Sequence, residues 1–213
     1  MLPEAFLERM KRQLGDEYES YLDSLNRPRA VALRFNPLKG EIPQLPFVGQ
    51  PVPWEPMGYY YDPDARPGLH VFHEAGVYYL QEASAMAPVA LLDPQPGERV
   101  CDLCAAPGGK SFTAAMLMQN AGEIISCDLY EQRVRLIESG AQRLGIGIIK
   151  PKTANAEIYD ETLGEFDLVL CDVPCSGLGV LRRKPEIKYK GVCLDETLTQ
   201  TQLKILENAA RYV

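Results

Sequence analysis

The sequence predicts an α/β fold: a doubly wound parallel sheet preceded by a smaller α+β domain. Three observations carry this. From residue 96 onward, apolar strand-like runs alternate with helical periodicities at the spacing of βαβ units. The run Val100-Cys101-Asp102-Leu103-Cys104-Ala105-Ala106-Pro107-Gly108-Gly109-Lys110 takes a strand into a tight, small-residue turn that opens a helix. Residues 1–95 follow a different pattern, with most of their prolines between 40 and 70. The chain has 213 residues, 46% of them hydrophobic, which is ample for a packed core.

Each element follows from local signals. Phe6, Leu7, Met10, Leu14, Tyr18, Tyr21, Leu22 and Leu25 recur at helical spacing, with Gly15 breaking them into two short helices. Arg29–Phe35 reads as a strand ended by Asn36-Pro37, and residues 40–70 as loop with short strands. Glu74–Leu92 reads as helical, Pro88 forcing a kink or a new start. Tyr59-Tyr60-Tyr61 is expected to pack a small sheet rather than to stack bases. Pro96-Gly97-Glu98 then punctuates the chain. Strands are expected over Arg99–Leu103, Glu123–Leu129, Ile148–Ala154 and Phe166–Val173, with helices over Lys110–Gln119 and Glu131–Leu144 between the first three. Asp195 is expected to cap a last helix running through Leu198, Leu203, Leu206 and Ala210. Such alternation implies right-handed crossovers and a sheet covered on both faces. Four strands alone would leave a central strand at an edge, so the chain is expected to be a fragment of a longer protein.

Composition narrows the function classes. No run approaches the ~20 apolar residues that span a bilayer. The first sixteen residues carry Glu4, Glu8, Arg9, Lys11 and Arg12, unlike a signal peptide, so a cytoplasmic protein without a membrane partner is expected. Cysteines at 101, 104, 127, 171, 175 and 193 are then expected as thiols. Cys101/Cys104 and Cys171/Cys175 differ in spacing and follow strand patterns, so no metal is expected and packing explains Cys101, Cys127 and Cys171. The net charge of −7 argues against a general nucleic-acid coat. The exception is local: Arg182, Arg183, Lys184, Lys188 and Lys190 could meet phosphates.

Ligands of doubly wound sheets bind beyond the carboxyl ends of the strands. Cys104, Ala105, Ala106, Pro107, Gly108, Gly109 and Lys110 occupy one such end. Asp128 closes the next strand, where an acid can accept from both ribose hydroxyls of a nucleoside, and Asn155 follows the third, where it could meet an adenine edge. Gly109-Lys110-Ser111 resembles the end of a P-loop, but Cys104 stands where that motif needs glycine, and G-x-G-x-x-G is absent. A nucleoside with a short amino-acid tail, S-adenosylmethionine, suits the loop best. Asp172-Val173-Pro174-Cys175 closes the fourth strand. A carboxylate three residues before a thiol suits methyl transfer to carbon-5 of cytosine: thiolate addition makes that carbon enamine-like, and Asp172 stabilises the adduct at the ring nitrogen.

At these residues the chain resembles the NOP/Sun (Sun/Fmu, RsmF-like) family of RNA cytosine-5 methyltransferases. Cys104–Lys110 looks like its cofactor loop and Asp172–Gly177 like its fourth motif. Gln81-Glu82-Ala83-Ser84-Ala85-Met86 and Arg182-Arg183-Lys184-Pro185-Glu186-Ile187 match stretches flanking those motifs. The resemblance implies a Rossmann-like class I S-adenosylmethionine-dependent methyltransferase fold, its sheet truncated. It implies residues 1–95 as an RNA-facing extension and 96–213 as the methyltransferase core. Cofactor contacts are implied at Cys104–Lys110, Asp128, Asn155 (commonly aspartate in the family) and Asp172. RNA, expected to be ribosomal, is implied along Arg182, Arg183, Lys184 and Lys188. The family's attacking cysteine belongs to a Thr-Cys motif beyond Val213, and Cys175 is then the thiol assisting product release. On this reading the chain binds cofactor weakly and lacks its own nucleophile. The alternatives are a P-loop-like nucleotide hydrolase and a non-catalytic RNA-binding module.

Overall fold

A computed structural model describes residues 2–181, 183–189 and 196–213. Arg182, Lys190, Cys193 and the expected cap Asp195 lie outside the described residues. The chain divides into two compact units, Met1–Arg29 with Cys175–Leu198, and Ala30–Pro174 with Thr199–Val213.

In the first unit, helices α1 (Glu4–Leu14) and α2 (Tyr18–Asn26) are joined by a 3-10 turn at Gly15–Glu17. Phe6 and Met10 recur one turn apart, so α1 lays both on one face, where they bury against Leu181 with Ile187 packed beside them.

The second unit holds two four-stranded sheets. The first comprises β1 (Ala32–Phe35), β2 (Val48–Val52), β3 (Glu55–Tyr61) and β4 (Tyr78–Leu80) in the order β2-β3-β1-β4, antiparallel throughout. Tyr59 and Tyr61 pack with Phe35 and Tyr78, while Tyr60 packs with Ala32 and Met86 on the opposite face. These tyrosines are sheet packing, as their alternation requires. The helix expected over Glu74–Leu92 divides instead into a short helix α3 (Val71–Glu74), the strand β4 and helix α4 (Ala83–Leu92). Pairing decides this: Phe35 lies opposite Tyr78 and Leu33 opposite Leu80, and Tyr78 donates its hydroxyl to the Pro67 carbonyl at 2.7 Å. Pro88 sits inside α4 without ending it, since Met86 and Val89 on either side are buried.

The second sheet is parallel, with β5 (Arg99–Asp102), β6 (Glu123–Asp128), β7 (Ile149–Thr153) and β8 (Leu168–Leu170) in the order β7-β6-β5-β8. Helices α5 (Gly109–Leu117) and α6 (Glu131–Leu144) form the crossovers between the first three strands, and α7 (Glu196–Ala209) follows β8. Side chains of period two split the core. Val100, Ile124 and Ile149 pack on one face with Phe112, Ile137 and Leu144. Cys101, Ile125 and Cys127 pack on the other with Ile205, Ala209 and Tyr212. Burying a side chain such as Phe112 contributes roughly 2–3 kcal/mol, and Cys101 and Cys127 belong to this apolar packing.

Candidate ligand site at the carboxyl ends of the parallel strands

The strand order sets the place. The chain moves outward from β5 to β6 to β7, then returns to lay β8 on the other side of β5. That reversal is a topological switch point, and the loops following β5 and β8 flank the crevice it creates.

The loop after β5 is held by backbone bonds to both neighbouring strands. Leu103 donates its amide to the Leu170 carbonyl at 3.1 Å and Ala105 to the Cys127 carbonyl at 2.8 Å. Ala105 and Ala106 are buried, the Ala106–Pro107 peptide is cis, and Gly108 N–H closes the turn on the Ala105 carbonyl at 2.7 Å. Gly108 has φ +104°, and a Cβ there would lie 2.4 Å from the Phe112 ring, so glycine is required on both counts. Gly109 begins α5, whose first amides have no partner within the helix. Gln81 binds this helix start, donating to the Gly109 carbonyl at 3.2 Å and accepting from Thr113 Oγ1 at 3.2 Å.

Polar groups within the loop and on its flanks set the local electrostatics. Asp102, 1% exposed, accepts at Oδ2 from Ser111 Oγ at 2.7 Å, and Ser111 accepts in turn from Ser126 Oγ at 2.8 Å. Its Oδ1 is buried without a hydrogen-bond partner. Burial pushes this carboxyl up to about 6, the Ser111 bond, the Lys110 charge and the Cys104 backbone amide opposing and Asp172 adding to the rise. Lys110 Nζ reaches Asp172 Oδ2 at 2.6 Å, joining the β5 and β8 loops. Asp128, 3% exposed at the end of β6, accepts at Oδ1 from the Tyr130 amide at 3.2 Å and pairs at Oδ2 with Arg133 Nη1 at 3.2 Å. Burial, reinforced by the nearby carboxylates, pushes the Cys104 thiol up to about 12, and burial with Asp102 pushes Cys171 up to about 11.

The structure therefore brings together Cys104–Lys110, Asp128 and Asp172 at one end of one sheet. Asn155, exposed after β7, turns its side-chain oxygen to the Glu157 amide at 3.0 Å. Cys175 is exposed and begins the 175–198 stretch of the other unit, which also carries exposed Arg183 and Lys184; Lys188 lies in the 3-10 segment Pro185–Tyr189. Among the described residues no three His, Cys, Asp or Glu side chains converge as metal ligands, and no helix is long and apolar enough to cross a membrane. The residues that local reading missed are Asp102, Ser111, Ser126, Gln81 and Arg133. Only Asp102 carried a signal, an acid inside an apolar strand.

Comparison with known proteins identifies similar chains. Residues 89–213 match the family model described as 16S rRNA methyltransferase RsmB/F, and residues 2–83 match that of the N-terminal domain of 16S rRNA methyltransferase RsmF. Ribosomal RNA small subunit methyltransferase F of Cronobacter sakazakii is 35% identical over 225 residues, covering 98% of this chain and 47% of that protein. The probable ribosomal RNA small subunit methyltransferase B of Bacillus subtilis is 44% identical over 149 residues, covering 68% of this chain and 33% of its own length. The chain thus spans half or less of these relatives. The crystal structure of a methyltransferase homolog protein from Pyrococcus horikoshii superposes with a TM-score of 0.80 at 27% identity, covering 99% of this chain and 74% of that one.

Proposed function

The chain belongs to the 16S rRNA methyltransferase RsmB/F family, and we propose that it is the cofactor-binding part of an RNA methyltransferase forming 5-methylcytosine in ribosomal RNA. The observation that carries this reading is the crevice between β5 and β8, where the Cys104–Lys110 loop and Asp172 meet through the Lys110–Asp172 pair. S-adenosylmethionine fits this donor set better than a nucleotide polyphosphate. The loop is short and carries a proline, so it offers few successive amides to phosphates. The buried Oδ1 of Asp102 and the Asp128 and Asp172 carboxylates favour a ligand bearing N–H and O–H donors over a polyanion.

When bound, the cofactor supplies an electrophilic methyl group on a sulfonium. Asp128 would accept from its ribose hydroxyls, Asn155 would meet its adenine edge, and the Cys104–Lys110 loop with Asp172 would hold its amino-acid end. Asp172 also faces the target pyrimidine. A cysteine thiolate would add to carbon-6 and move the ring electron pair to carbon-5, which would be methylated as the methyl–sulfur bond breaks and S-adenosylhomocysteine leaves. A base then removes the carbon-5 proton, and the returning pair expels the thiolate. Cys175 acts in that release. The target base must leave its stack to reach such a pocket. Arg182, Arg183, Lys184 and Lys188 contact the RNA backbone. Residues 1–95 would form the RNA-facing extension and residues 96–213 the core; two family models match residues 2–83 and 89–213, a division a few residues earlier in the chain. Such an enzyme works where ribosomal RNA is, in the cytoplasm.

Isothermal titration with S-adenosylhomocysteine, beside ATP with magnesium, tests the cofactor reading. Heat of binding with the first alone is expected, and the reverse pattern overturns it. Bisulfite sequencing of ribosomal RNA from a strain lacking the gene tests the reaction: one protected cytosine should become convertible, and an unchanged pattern refutes the assignment.

A further inference from the structure

We propose that Arg133 is a positioning residue that sets the Asp128 carboxylate for ribose recognition and couples it to the loop after β5. The inference rests on the cofactor reading above and goes beyond it by naming what holds the site in register.

The geometry is that of a fork. Nη1 of Arg133 lies 3.2 Å from Asp128 Oδ2, and Nη2 donates to the Ala106 carbonyl at 2.9 Å. One guanidinium thus joins the Asp128 carboxylate to the Ala106 carbonyl, each one residue beyond the backbone bond of the Ala105 amide to the Cys127 carbonyl. The planar, fixed donors of arginine can set both directions at once, which a lysine ammonium cannot. The Tyr130 amide donates to Oδ1 of Asp128 and the Arg133 charge lies against Oδ2, so both oxygens are held in place. A carboxylate oxygen has two lone-pair sites. Each oxygen therefore keeps acceptor capacity, which two adjacent ribose hydroxyls require.

The placement of Arg133 also runs against local preference. It is the third residue of α6, in the first turn, where the helix dipole disfavours a cation and Glu131 is the favoured kind of residue. Its side chain is half exposed, whereas its partner Asp128 is 3% exposed. Helix stability alone does not call for arginine here. The two acceptors at the strand ends do.

The test compares wild-type protein with Arg133→Met and Arg133→Lys by isothermal titration, using S-adenosylhomocysteine and its 2′-deoxyribose analogue. Loss of a charge-assisted contact predicts that Arg133→Met binds S-adenosylhomocysteine roughly tenfold more weakly. The same substitution should weaken binding of the 2′-deoxy analogue much less, because the hydroxyl that Asp128 is set to receive is already missing. Arg133→Lys should fall between, keeping charge but not the fork, and it carries the comparison if Arg133→Met fails to fold. Equal affinity for wild type and folded variants overturns the inference and leaves the proposed function standing. An equal loss for both ligands reduces Arg133 to a structural tie and also overturns it. If wild type binds neither ligand, the cofactor reading falls, and this inference with it.

Discussion

Asp102 is buried, bonded by Ser111 Oγ with the Cys104 amide close by, and burial nonetheless lifts it from an ordinary 3.8 to about 6. The folded carboxyl therefore holds its proton more tightly than the unfolded one. Its contribution to stability is complete below pH 3.8 and is lost as pH rises through about 6. At about 1.36 kcal/mol per tenfold change in proton affinity, the full difference is about 3 kcal/mol, of which about 2 kcal/mol falls between pH 4.5 and 7.5. Asp102→Asn removes the titration while keeping the shape. Urea unfolding of both proteins across that range isolates the effect, because other groups cancel in the comparison. Asp160, for example, is held down to about 2 mainly by Lys152 and loses its contribution as pH falls in both proteins alike. With a urea slope of about 2 kcal/mol per molar, the wild-type midpoint should drop relative to the variant by about 1 M from pH 4.5 to 7.5. Parallel pH profiles for the two proteins would refute the claim that Asp102 carries a raised pKa.

Two further substitutions probe the frame around the site. Gly108→Ala must place a Cβ 2.4 Å from the Phe112 ring at φ +104°; it should lose about 2–3 kcal/mol of stability with a marked loss of S-adenosylhomocysteine affinity, and unchanged binding would show that the turn does not shape the site. Arg34 and Glu55, both buried, pair at 3.2 Å, and Arg34 Nη1 also rests 2.7 Å from Met116 Sδ. Arg34→Met leaves a lone buried carboxylate and should cost about 3–5 kcal/mol in chemical denaturation, while Arg34→Met with Glu55→Leu should recover most of it; equal losses in single and double variants would rule out coupling.

Much of the fold was legible because its signals are local. Helix α6 occupies Glu131–Leu144 as expected, its apolar spacing ended by Gly145 at φ +73°. The four parallel strands lie inside their expected ranges. Strand β4 was not legible. Tyr78-Tyr79-Leu80 adjoins a helical pattern, and what makes it a strand is its pairing with β1, more than forty residues earlier. Pro88 misled for the complementary reason: a proline's cost inside a helix is set against the burial of Met86 and Val89, and that burial is a tertiary fact.

The site divides along the same line. Residues read as touching a ligand sit in turns whose chemistry is written locally: a proline, two glycines, an acid at a strand end. Residues that hold those turns meet across distance, Arg133 reaching back to Ala106 and Gln81 reaching forward to Gly109. The Ser126-Ser111-Asp102 chain shows why no local pattern could reveal it. Asp102 lies directly opposite Ser126 in the parallel pairing of β5 with β6. A slip of one residue would turn Ser126 to the other face and bring Ile125 or Cys127 to that register, leaving Ser111 without its donor. The same register sets Asp128 at the end of β6, where the Ala105 amide binds the Cys127 carbonyl next to it. Strand pairing thus places the buried Asp102 and the strand-end Asp128 together, so a change that shifts β6 against β5 should displace both even when every motif residue is retained.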